Sequence, residues 1–162
     1  MATALSNLSE YDASKVPSGE GAKIALLVSE WNDEITNGLA TGAIETLEKH
    51  GVDSQDISVH YVPGTFELPL GAQFLLEKNE DFDAVICVGC VIQGETKHFD
   101  FVCQGATQGI MDVGLNYSTP VIFCVLTDNT IEQSRARSGG EHGNKGTEAA
   151  VTALKMIHMA NA

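Results

Sequence analysis

The stretch Val85-Ile-Cys-Val-Gly-Cys-Val-Ile-Gln-Gly-Glu-Thr-Lys-His-Phe-Asp-Phe-Val102 decides how this chain folds. Its first half is an unbroken apolar run rich in β-branched residues. Such a run marks a strand covered on both faces, because a half-exposed strand would alternate. The run breaks at Gly94 and restarts near Thr96 with helical spacing, where Val102, Ala106, Ile110 and Val113 form one apolar stripe. The segment therefore predicts a buried strand, a tight turn, and a helix whose first turn carries Thr96, Lys97 and His98. In an open α/β sheet, ligands sit at the carboxyl ends of the strands, and a helix N-terminus offers free N–H groups to an anion. A histidine there is suited to moving protons near neutral pH.

The same grammar repeats on either side. Residues 23–29 read as a strand, followed by a helix capped by Asn32 or Asp33, with Ile35, Leu39, Ala43 and Leu47 in register until Gly51. Residues 56–62 form a second strand and residues 66–79 a helix, with Pro69 in its first turn, where a missing N–H does no harm. Residues 83–92 are the third strand and 120–126 the fourth. Helices over 130–138 and 144–159 follow, with a Gly-rich joint between them. Strands alternating with helices imply a parallel sheet with both faces covered, and right-handed crossovers select a topology. The expected fold is an α/β three-layer α/β/α sandwich with a four-stranded parallel sheet, flavodoxin-like. Residues 1–22 are expected to be a flexible N-terminal arm before a single domain over 23–162.

Composition narrows the function. With Lys+Arg 9 against Asp+Glu 22, the net charge is −13. A nucleic-acid binder needs a basic face, which nine scattered basic residues do not supply. No apolar run approaches the roughly 18 residues of a membrane helix. The polar start lacks the apolar centre of a signal peptide, so a cytoplasmic location is expected. An acidic protein repels anions at long range, so any phosphate site must be made locally. Arg135, Arg137 and Lys145 cluster near the C-terminus. Cys87 and Cys90 mimic a C-x-x-C pair, but three residues apart on a strand they face opposite ways and cannot share an ion. No metal is expected.

Five segments in order carry a resemblance: V-S-E-W-N at 28–32, V-P-G-T-F-E-L-P at 62–69, G-C-V-I-Q-G-E-T-K-H-F-D at 89–100, P-V-I-F-C-V-L-T at 120–127 and G-N-K-G at 143–146. Over roughly residues 22–160 the chain resembles the lumazine synthases, enzymes that make the direct precursor of riboflavin. The resemblance implies a transferase that joins a ribitylamino-pyrimidinedione to dihydroxybutanone phosphate without a cofactor. It implies that Trp31 stacks on the heterocycle and that Asn32, Thr65, Phe66 and Glu67 hold the ribityl chain. Val91 and Ile92 would present backbone groups to the pyrimidine edge. Gly94, Glu95 and Thr96 match the phosphate turn, Arg137 and Lys145 supply cations, and His98 transfers protons.

Blander readings stand beside these. Trp31 could be core packing, Asn32 a helix cap, Glu67 an acidic residue favouring a helix dipole, and Lys145 a solvated lysine. The resemblance further implies self-association, with Phe123, Arg137 and Lys145 reaching a neighbour's site. A pentamer, or pentamers built into an icosahedral shell that encloses riboflavin synthase, follows from the same source. Gln93 departs from the Arg or Lys common in the family. His142 carries no firm assignment. Two rivals remain: a riboflavin-binding module, which would leave His98 and Arg137 without a task, and a receiver domain, which lacks its acceptor Asp at the end of the third strand. No G-x-x-x-x-G-K-[ST] motif is present.

Overall fold

The computed structural model describes residues 7–78 and 81–162. Four parallel strands, β1 (Ile24–Ser29), β2 (Ile57–Val62), β3 (Ala84–Ile92) and β4 (Val121–Asp128), form one sheet in the order β2-β1-β3-β4. α1 (Asp33–Lys49), α2 (Leu68–Glu77) and α3 (His98–Tyr117) are the crossovers, and α4 (Ile131–Arg137) and α5 (Lys145–Ala160) complete the chain. This is the expected three-layer, flavodoxin-like sandwich.

The unbroken apolar runs have the predicted cause. Ile24, Leu26 and Val28 face one core, shared with Ile35, Leu39 and Leu47 of α1 and Ala150 and Leu154 of α5. Ala25 and Leu27 face the other, with Leu68 and Leu75 of α2 and Ile110 and Val113 of α3. The strand is buried on both sides, so alternation carries no advantage. Cys87 and Cys90 fall into opposite cores.

Several local expectations need correction. The helix after β3 begins at His98, not Thr96. Thr96 Oγ1 accepts a hydrogen bond from the His98 N–H at 3.3 Å, a side-chain turn that competes with helix propagation. Asn32 sits at the N-cap position of α1 without capping it; its backbone is left-handed, φ 61°, and its side chain bonds elsewhere. A 3-10 turn over Thr65–Glu67 precedes α2, which then has Pro69 at its start. The expected end of that helix at Asn79 lies outside the described residues. β4 runs on through Thr127 and Asp128, paired with Val91 and Ile92.

The Gly-rich joint is a two-stranded antiparallel ribbon, β5 (Ser138–Gly140) and β6 (Gly143–Asn144), with Gly139 and Gly143 at positive φ. Glycine supplies those angles without strain, and its short strands carry too little apolar pattern to announce themselves. Asn144 bolts the ribbon down. Its side chain accepts from the Gly146 N–H at 2.8 Å, capping α5, and donates to the Gly38 carbonyl of α1 at 2.9 Å. The N-terminal segment meets the same ribbon, where the Leu8 N–H donates to the His142 carbonyl and the Asn144 N–H to Ser9 Oγ.

Candidate active site

With strand order 2-1-3-4, the chain leaves β1 toward one side and β3 toward the other, which opens a crevice at their carboxyl ends. A cavity of about 680 Å³ lies there. Trp31 and Asn32 enter it after β1, Gly64 to Glu67 after β2, Cys90 to Ile92 at the end of β3, and His98, Phe101 and Val102 from the start of α3. Eight of the residues expected at a site thus come together: Trp31, Asn32, Thr65, Phe66, Glu67, Val91, Ile92 and His98.

Each is held for a physical reason. Trp31 is 74% exposed, so it is not a core residue; its indole stands in solvent at the cavity mouth. The Asn32 side-chain amide donates to the Cys90 carbonyl at 2.9 Å and fastens the β1 loop to β3. Glu67 turns back over Gly64: a Cβ added to Gly64 would lie 3.0 Å from Glu67 Oε2 and 3.6 Å from Trp31 Cδ1. A side chain there would crowd the Glu67 carboxylate and touch the Trp31 ring. Thr65 is buried, and its hydroxyl has no hydrogen-bond partner among the described residues. A buried hydroxyl without a partner costs about 1–3 kcal/mol.

His98 opens α3, where unpaired N–H groups favour negative charge. Thr96 keeps its hydroxyl hydrogen free to donate, because its oxygen is the acceptor in the bond to His98. Gly94, Glu95 and Thr96 are exposed on the turn between β3 and α3, beside the cavity lining and not within it.

Phe123, Arg137 and Lys145 do not line this cavity. Phe123 packs on the α2–α3 side of the sheet. Arg137 lies in the last turn of α4, with one guanidinium N–H returned to the Gln133 carbonyl at 2.9 Å. Lys145 opens α5 and pairs with Glu148 at 2.6 Å, its side chain 15% exposed. The surface-lysine reading of Lys145 is therefore replaced by a half-buried ion pair. Arg135, the third member of the basic cluster, makes a two-pronged bond to Glu34, with distances of 2.8 and 2.9 Å.

Sequence reasoning gave no site role to four members of the lining, Gly64, Cys90, Phe101 and Val102. Cys90 is buried, its thiol donating to Ser134 Oγ at 3.4 Å and its carbonyl accepting from the Asn32 amide. Phe101 stands one turn beyond His98, 66% exposed and off the apolar stripe, a position that could have flagged it. Val102, expected in the apolar stripe of α3, is only half-buried and lines the cavity, while Ala106, Ile110 and Val113 carry the core face.

A parallel sheet with a crevice at its switch point, lined by aromatic side chains, one histidine and one carboxylate, defines an α/β protein with a candidate ligand site at its strand ends. A sequence profile described as 6,7-dimethyl-8-ribityllumazine synthase matches residues 21–161. Relatives bearing that name are 55% identical in Christiangramia forsetii, covering 98% of this chain and 95% of the relative. The protein of Porphyromonas gingivalis is 55% identical over 96% of both chains, and that of Parabacteroides distasonis 54% over 98% of both. This chain belongs to the 6,7-dimethyl-8-ribityllumazine synthase family, enzymes of riboflavin biosynthesis. Among its described residues no helix is long and apolar enough to cross a membrane.

Proposed function

We propose that the chain condenses 5-amino-6-(ribitylamino)pyrimidine-2,4-dione with 3,4-dihydroxy-2-butanone 4-phosphate to 6,7-dimethyl-8-ribityllumazine. The observation that carries this reading is the single cavity in which Trp31, Asn32, Thr65, Glu67, the Val91–Ile92 backbone and His98 converge. The substrate amine attacks the ketone and loses water to form an imine. Phosphate is then eliminated, and attack of the second nitrogen on the new carbonyl closes the ring with loss of a second water. The substrate provides the amine, so no enzyme lysine is needed as a nucleophile, and no cofactor enters.

Trp31 stacks on the heterocycle, and such contacts are worth about 1–3 kcal/mol per ring. The partnerless Thr65 hydroxyl and the Glu67 carboxylate, with Phe66 and Asn32, receive the ribityl hydroxyls. Val91 and Ile92 offer peptide groups to the pyrimidine edge. Gly94, Glu95 and Thr96 form the phosphate turn, Glu95 through its backbone, since its carboxylate would repel the anion. His98 carries protons between the nitrogen, the departing phosphate and the ring-closing oxygen. Holding two reactants in register supplies much of the acceleration.

The phosphate cations come from a second copy of the chain. Among the described residues, those lining the cavity include no Arg or Lys, and the acidic protein needs a local one. Arg137, suited to forked pairing with phosphate oxygens, and Lys145 and Phe123 reach the neighbour's cavity. Leu70, Phe74, Met111 and Leu115 on α2 and α3 are all more than half exposed, an apolar surface that a neighbouring copy would cover. A pentamer, with further assembly into an icosahedral shell around riboflavin synthase, fits this arrangement. All four cysteines are free thiols, in keeping with a cytoplasmic enzyme. The test is to mix both substrates with the purified protein and follow the lumazine by absorbance. Product formation well above the uncatalysed rate is expected; tight riboflavin binding without turnover would leave a binding module instead.

A further inference from the structure

We infer that Gly105 of α3 is a positioning residue for the cavity, acting through Phe66. This rests on the reading of the cavity as the site of the ribitylamino-pyrimidine. A Cβ built on Gly105 would lie 2.5 Å from Phe66 Cε2, 3.2 Å from Cδ2 and 3.5 Å from Cζ. The ring edge therefore rests directly on the helix, in space that any other residue would occupy. Phe66 is one wall of the cavity, and Phe101 and Val102, one turn earlier on α3, are another. Gly105 thus sets how close the Phe66 wall stands to the helix that carries His98.

Gly109, one turn further along α3, makes a similar approach with a different consequence. A Cβ there would lie 2.7 Å from both Cβ and Cγ of Pro69. Pro69 is fixed in the first turn of α2 and cannot step aside. The Phe66 ring is 57% exposed and sits on rotatable bonds, so it can move. A side chain at Gly109 therefore strains the α2–α3 packing. A side chain at Gly105 leaves packing almost intact and moves the cavity wall.

The two substitutions separate the roles. Gly105→Ala should raise or preserve Tm, because alanine is the better helix former, while KM for the pyrimidine amine rises about tenfold and kcat changes less. Gly109→Ala should lower Tm. In a Phe66→Ala background, adding Gly105→Ala should leave KM unchanged, because the wall it displaces is gone. Equal KM effects of Gly105→Ala with and without Phe66, or a KM unchanged in wild-type background, would overturn the inference. A ligand-free crystal structure of Gly105→Ala decides it independently of catalysis: the ring should have swung off α3, and a ring unmoved with α3 displaced would refute it. An inactive wild type would refute the proposed reaction alone, and the crystal structure would still judge Gly105.

Discussion

The Asn32 side chain and the Cys90 carbonyl are joined by a 2.9 Å hydrogen bond that crosses from the loop after β1 to the end of β3. It ties together the two strand ends between which the cavity opens. Asn32 also holds a left-handed backbone, a conformation asparagine tolerates better than most residues. Asn32→Ala should therefore lose both the bond and the backbone preference, destabilising by about 1–3 kcal/mol. Asn32→Gly should recover the backbone part only. Urea unfolding of the two variants measures the difference.

Trp31 supplies the opposite case, a residue proposed to serve binding and placed to contribute little to stability. At 74% exposure it buries little. Trp31→Ala should leave Tm within a degree or two (about 0.5 kcal/mol, as for surface substitutions). KM for the pyrimidine amine should rise about 5- to 150-fold if stacking is worth about 1–3 kcal/mol. A matched fall in Tm would return Trp31 to a packing role.

The Arg135 hydrogen bonds hold the Glu34 carboxyl below the ordinary carboxylate range. A depressed folded-state pKa stabilises above the unfolded value and is lost as pH falls through the folded one. Glu34→Gln should thus be slightly less stable than wild type at neutral pH and equal to it in strong acid. Both side chains are more than half exposed, so the gap should be small and shrink in high salt. Thermal melts across pH at two ionic strengths would show a constant gap if the pair did not matter.

Lys145 and Arg137 should part company on stability. Lys145 is bonded to Glu148 within a largely buried setting, so Lys145→Ala should cost about 1–3 kcal/mol as well as activity. Arg137 returns one N–H to its own helix, and Arg137→Ala should all but abolish turnover with little loss of Tm. Parallel melts and phosphate-release assays check both.

The buried thiols report on the sheet. Burial, as the larger cause, pushes the Cys124 thiol up to about 12, and burial raises Cys87 likewise. Neither should react with a thiol reagent at pH 8 in the folded protein, and both should react once it is unfolded. Rapid native labelling of either would contradict the position of β3 and β4.

The sheet was legible because β1 and β3 are buried on both faces, which leaves an unbroken apolar signature in the sequence. The cavity was legible through its loops, since strand ends in a parallel sheet must gather on one edge. What escaped was local competition. Thr96 draws the His98 N–H into a side-chain turn, Asn32 spends its amide across the sheet instead of on its helix, and the ribbon around Gly139 and Gly143 is too short for any period to show. The role of Gly105 was silent for another reason: it depends on a contact with Phe66, thirty-nine residues away in sequence, that no local pattern encodes.

The central claim is that a working site takes His98 from one chain and Arg137 from its neighbour. It is tested most directly by co-assembling two inactive variants, His98→Ala and Arg137→Ala, and measuring lumazine formation. Random mixing places an intact His98 opposite an intact Arg137 at roughly a quarter of the sites, so activity should return to that fraction of wild type. Mixed assemblies that stay as inactive as their parents would contradict a site shared between chains.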